Sequence, residues 1–134
     1  MLDINSLLIH GEEIKYCAKW EFDDWKYALY ITNNRIIELR DSKNSYHTWS
    51  HSLNRICGIA TTESYQNYTY NELQIICVDG YHSIRNISNT KLIYEIQYEI
   101  TKATVANTTP VVDNNAHAAI PIFFTKFNLL FFIP

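Results

Sequence analysis

The segment YALYITNNRIIEL, residues 27–39, sets two apolar runs rich in aromatic and β-branched side chains on either side of a polar Thr-Asn-Asn-Arg. This pattern predicts a hairpin with the polar knot at its tip. Tight reversals favour Asn, which tolerates positive φ better than most residues with a side chain, and either Asn33 or Asn34 can take that dihedral. An odd loop or a bulge pairs Ile31 with Ile37 and Leu29 with Leu39, leaving Tyr30, Glu38 and Arg40 on the other side. An even loop sets Ile31 against Ile36 and Leu29 against Glu38, which mixes polar and apolar positions. A one-residue slip exchanges the two faces of a strand, so clean alternation selects the first register.

The same period recurs elsewhere. EEIKYCAKWEF alternates Ile14, Tyr16 and Ala18 against Lys15, Cys17 and Lys19, as a half-buried strand does. LQIICVDGYHSIRNI places Asp79-Gly80 between two β-rich runs, the chemistry of a two-residue type I′ turn. That turn pairs Ile75 with Ile84 and Cys77 with His82, and puts Leu73, Ile75, Cys77 and Ile84 on one core-facing side. Between the hairpins, SYHTWSHSLNRICGIATTES has the length of one bulged strand or two short ones, and the polar loop YQNYTYNE follows it.

From Asn89 the period changes. Leu92, Ile93, Ile96, Ile100 and Ala103 recur at spacings of three and four, predicting one amphipathic helix capped by Ser88 or Asn89. Residues 106–119 then have the composition of a linker, and residues 120–134, IPIFFTKFNLLFFIP, hold five of the six Phe residues. The chain divides into a domain over 1–105, a linker over 106–119 and an apolar tail over 120–134. With three Gly and three Pro in all, Asn, Asp and periodicity mark the boundaries.

A chain of 134 residues with 47% hydrophobic content buries one substantial core. Its formal charge of −3 supplies no broad positive field, so nucleic acid is not an expected partner. Cys17, Cys57 and Cys77 each sit in an apolar run and read as reduced core residues. The opening MLDINSLLIHGEE lacks the basic and apolar regions of a secretory signal, and a cytoplasmic location, with peripheral membrane contact as a variant, is expected.

Taken in order, GEEIKYCAKW, ALYITNNRIIEL, SLNRICGI and ELQIICVDGYHSIRNI before a closing helix resemble the bacterial pleckstrin-homology and GRAM-like families. The matching motifs are Gly11-Glu12 before the first strand, the tip Thr32-Asn33-Asn34-Arg35, and the step Leu53-Asn54-Arg55-Ile56. The resemblance covers residues 7–105. It implies a mainly β fold with one C-terminal α-helix, built as a partly open barrel of two near-orthogonal antiparallel sheets with the helix plugging one end. It also implies a non-enzymatic interaction module, commonly for membranes or proteins, and in some members a homo-oligomer.

Inositol-lipid-binding relatives carry a basic cluster where the first strand turns into the second. Here KWEFDDWKY sets Glu21, Asp23 and Asp24 against Lys19 and Lys26, and carboxylates repel a phosphorylated headgroup. Trp20, Phe22, Trp25 and Lys26 in this region, with Trp49, form a candidate binding surface, because aromatics beside acids are typical of protein recognition. The alternative is that the Trp side chains cover the open end of the barrel. Phe123, Phe124, Phe127, Leu130 and Phe131 fit one helical stripe suited to docking on a partner or a membrane surface, or they fold back on this domain or a sister copy. At fifteen residues the tail is short of the roughly 20 needed to cross a bilayer.

Catalytic and metal signals are weak. No residue set is expected to be catalytic, since Ser50 and Ser52 lack the flanking glycines of a nucleophile elbow and glycines occur only at 11, 58 and 80. His47 and His51 at i, i+4 on a strand stand about 13 Å apart, too far for one ion. Cys77 opposite His82 gives two ligands where structural zinc takes four. No metal and no cofactor are therefore expected. A protein partner or a second copy is the leading expectation, with a tail-mediated membrane adaptor and an enzyme of unrecognised type behind it.

Overall fold

The computed structural model describes residues 3–62, 71–107 and 129–131. Strands Ile14–Phe22 (β1), Trp25–Thr32 (β2), Arg35–Asp41 (β3) and Tyr46–Ser52 (β4) form an antiparallel meander in sequence order. A 3-10 turn at Leu53–Arg55 carries the chain into a second antiparallel sheet of Ile56–Thr62 (β5), Asn71–Cys77 (β6) and Gly80–Ile87 (β7), ordered β7-β6-β5. Leu129–Phe131 (β8) lines the other edge of β5, and the helix Thr90–Asn107 (α1) follows β7. Among the described residues the fold is thus mainly β, with two antiparallel sheets that do not close into a barrel and one C-terminal helix, as expected. The stretch after β3 resolves into two strands, one in each sheet, with the Leu53-to-Ile56 step as the crossing point.

The first predicted register is overturned. β2 and β3 pair as Ile31↔Ile36, Tyr30↔Ile37, Leu29↔Glu38 and Ala28↔Leu39, the register of an even loop. Alternation could not select the register because both faces of this hairpin are buried. Tyr27, Leu29, Ile31 and Ile36 join the core between the sheets, while Ala28, Tyr30, Ile37 and Leu39 pack under Ile4, Leu7 and Leu8 of the N-terminal segment. Neither face then carries the penalty that a slip normally brings. Leu29 accordingly shares the inner face with Glu38, which is 1% exposed.

The turn chemistry also differs. Neither Asn33 nor Asn34 has positive φ, whereas Asp23 and Asp24 do, at 48° and 68°. Two successive left-handed residues joining Phe22 to Trp25 make the β1–β2 tip the type I′ hairpin. In the second hairpin the loop is Val78–Asp79, with Cys77 opposite Gly80 and Ile75 opposite His82, so the predicted Ile75–Ile84 and Cys77–His82 pairs do not form. Gly80 sits just after the turn at φ 145°, a conformation that favours glycine. The slip preserves the faces, and Leu73, Ile75, Cys77 and Ile84 all point to the core as predicted.

The polar tip at Thr32–Arg35 serves as one half of a clasp. Arg35 Nε and Nη2 donate to the two oxygens of Glu12 at 2.9 and 3.0 Å, and Thr32 Oγ1 donates to Glu12 Oε2 at 2.7 Å. Thr32 Oγ1 in turn accepts from the Asn34 and Arg35 amides, and Asn33 Oδ1 accepts from the Glu13 amide at 2.8 Å. The Arg35 guanidinium beside it holds the Glu12 carboxyl down at about 2, against the opposing effect of burial and with help from Thr32. Arg35 also donates to the Leu7 carbonyl, tying in the segment that covers the outer face.

Asn89 caps α1, its Oδ1 accepting from the Leu92 amide at 2.7 Å. Ile93, Ile96 and Ile100 are fully buried, each contributing about 1.5–3 kcal/mol, and α1 packs against β2 of one sheet and β5, β6 and β7 of the other. The helix runs two residues past the expected domain end, and Asn107 Nδ2 donates to the Asn33 carbonyl at the hairpin tip. Of the three cysteines only Cys77 is buried; Cys57 is half-buried and Cys17, on the outer face at an edge strand, is exposed. Cys17 therefore corrects the expectation of three core thiols. No helix among the described residues is long and apolar enough to cross a membrane.

Candidate functional site

The tips of two hairpins meet at one end of the first sheet. Between them lies a groove of about 480 Å³ lined by Glu21, Phe22, Asp23, Asp24, Trp25 and Lys26 from the β1–β2 tip and by Asp41, Ser42 and Lys43 from the β3–β4 tip. The type I′ turn aims Asp23 and Asp24 outward, and the Phe22↔Trp25 pair sets both aromatic rings on the inner face, half-buried against the core. Trp25 stacks on His47 of β4 with ring centroids 5.9 Å apart. Lys26 lies directly across from Asp41, an opposite-charge cross-strand pair.

Three of the five expected surface residues, Phe22, Trp25 and Lys26, thus line one groove. Trp20 lies inside: it is 5% exposed, stacks on Tyr27 with centroids 5.4 Å apart and nearly parallel rings, and donates from Nε1 to the Arg85 carbonyl. Trp49 belongs to another cluster between the sheets. Its ring stacks on His82 at 3.9 Å, His82 Nε2 lies 3.0 Å from Glu38 Oε1, and Arg40 Nε is 3.6 Å from the same oxygen. Glu38 Oε2 is buried with no hydrogen-bond partner among the described residues. Sequence reasoning missed this cluster because the predicted register placed Glu38 on the outer face.

A third grouping sits where β4 ends. His51 Nε2 is 3.1 Å from Asp79 Oδ1, Arg55 Nη2 is 3.9 Å from Asp79 Oδ2, and the thiol of Cys77 lies close by. Burial, followed by the Asp79 charge, pushes the Cys77 thiol up to about 11, and the His51 hydrogen bond holds the Asp79 carboxyl below its usual value. His47 and His51 lie on one face of β4 four residues apart, as the strand reading required. Cys77 meets His51 and Asp79 because the β6–β7 loop is placed one residue earlier than the Asp-Gly signal implied.

Of the tail residues, Leu130 and Phe131 lie in strand β8, paired with Ile59 and Gly58, and not on a helical stripe. Phe123, Phe124 and Phe127 lie outside the described residues, as do the linker beyond Asn107 and most of the tyrosine-rich loop. No protein-family model, no curated protein and no solved structure matches the chain.

Proposed function

We propose that the chain is a non-enzymatic interaction module of the pleckstrin-homology type, a partly open barrel of near-orthogonal sheets stoppered by α1, and that it docks a basic segment of a protein partner. The groove between the β1–β2 and β3–β4 tips carries the reading. Its rim has four carboxylates, Glu21, Asp23, Asp24 and Asp41, against Lys26 and Lys43, with Phe22 and Trp25 as apolar contacts. Excess negative charge steers a Lys- or Arg-bearing segment and repels a phosphate, while the rings offer desolvated area to its apolar side chains. The kinship is supported by the strand order and by the clasp, in which Gly11-Glu12 and Thr32–Arg35, two motifs far apart in sequence, act as one structural unit.

Calorimetric titration of the full chain with a lysine- and leucine-containing peptide, its glutamate counterpart and phosphatidylserine vesicles tests this. The basic peptide alone is expected to bind, more weakly with added salt and more weakly to D23N/D24N, whose side chains keep the shape and the turn. Binding to the vesicles or to the acidic peptide in preference to the basic one contradicts the reading.

A further inference from the structure

We propose that His51, Cys77 and Asp79 form a binding site for a zinc-class divalent ion, with His51 Nε2, Cys77 Sγ and one Asp79 oxygen as ligands. The three donor atoms lie within 4.8 Å of one another. Tetrahedral bonds of about 2.0–2.3 Å separate ligand atoms by about 3.3–3.8 Å. The His51–Asp79 pair, at 3.1 Å, is already that close. The two pairs that involve Cys77 Sγ exceed that spacing by at most about 1 Å.

The surroundings match what a metal site requires beyond its ligands. The other ring nitrogen of His51, Nδ1, is 3.4 Å from the Ser52 carbonyl, an acceptor for the ring proton once an ion takes the place of the proton that Nε2 shares with Asp79. Arg55 stands 3.9 Å from the second Asp79 oxygen, where it holds the carboxylate in a one-oxygen mode. The amide of Val78 donates to the Arg55 carbonyl at 3.0 Å, pinning the β6–β7 turn to the 3-10 turn that follows His51, so the ligand-bearing segments are fixed relative to each other. Nitrogen, sulfur and oxygen together suit zinc better than calcium or magnesium, which take oxygen. On ligation the Cys77 S–H bond breaks as the S–metal bond forms, and the proton leaves to water. The thiolate and carboxylate charges then balance those of the ion, with water in the fourth position.

The test titrates the reduced full chain, stripped with a chelator, first with Co²⁺ and then with Zn²⁺. Thiolate-to-cobalt absorption in the near ultraviolet is expected to saturate at one equivalent and to vanish as Zn²⁺ displaces cobalt. C77S should abolish it, H51Q and D79N should each weaken Zn²⁺ binding by at least about tenfold, and C17S and H47Q should leave it intact. D79N changes only an exposed turn side chain, so it separates loss of a ligand from loss of fold, which circular dichroism checks for every variant. The site is refuted if the wild-type chain gives no saturable absorption, if the absorption follows Cys17 instead of Cys77, or if H51Q or D79N binds as the wild type does.

Discussion

Arg35→Ala isolates the clasp on which the first sheet is assembled. The Glu12 side chain is wholly inaccessible, and Arg35 provides two of its hydrogen bonds, leaving Thr32 Oγ1 and the Ile9 amide after the substitution. With the Glu12 carboxyl at about 2 in the folded chain and 4.5 as its ordinary value, the gap corresponds to about 3 kcal/mol of stability. Removing one partner of a buried pair costs a similar amount, about 3–5 kcal/mol. Because the folded pKa is depressed, this stability is present above about 4.5 and is lost as the pH falls towards about 2. Urea unfolding followed by tryptophan fluorescence, repeated at several values between about pH 7 and pH 2, should show R35A about 3 kcal/mol less stable than wild type at neutral pH. That difference should shrink by more than half at the acid end, leaving what the pH-independent hydrogen bond from Arg35 to the Leu7 carbonyl contributes. Glu13 and Asp79 are also held low, but they titrate alike in both proteins and cancel in the difference. A difference that stays constant across this range, or one under about 0.5 kcal/mol at neutral pH, refutes the reasoning.

Other substitutions separate structural from recognition roles. D23A/D24A should lose about 1–2 kcal/mol per residue in urea unfolding, because Ala pays for the left-handed dihedrals that Asn and Asp tolerate, whereas D23N/D24N should stay near wild type. Trp20→Ala should destabilise the fold by about 3–5 kcal/mol, as a core truncation does, while Trp25→Ala should have a smaller effect on the melt. In the native chain Cys17 should react rapidly with a chromogenic disulfide reagent, and Cys77 only after denaturant is added, since its thiol is buried and held protonated up to about 11.

The order of strands and the closing helix were legible because they rest on signals the chain states locally: alternation in β1 and β6, and the three-and-four spacing from Leu92 to Ala103. Registers were less legible. In β2 and β3 the sequence is apolar on both sides, and what covers the outer side is Ile4, Leu7 and Leu8, a segment whose reading concerned targeting and not packing. The Asp-Gly pair marked the second turn but not the position of its loop, because glycine also fits the residue just after a turn. That difference hid the His51–Cys77–Asp79 grouping, which joins the end of β4 to a hairpin more than twenty residues later. The groove residues were legible as a set because Phe22, Trp25 and Lys26 flank one tight turn. Trp20 and Trp49 differ from them by the sheet face and strand they occupy, which composition does not reveal.

The proposal that the hairpin-tip groove is the docking surface is tested most directly by nuclear magnetic resonance of the isotopically labelled full chain during titration with the lysine- and leucine-containing peptide. The account predicts saturable amide shifts concentrated at residues 21–26 and 41–43, with the Trp25 indole among the largest and the Trp20 indole unmoved. Shifts centred on α1 or the second sheet, or none at peptide concentrations that saturate calorimetric binding, would contradict it.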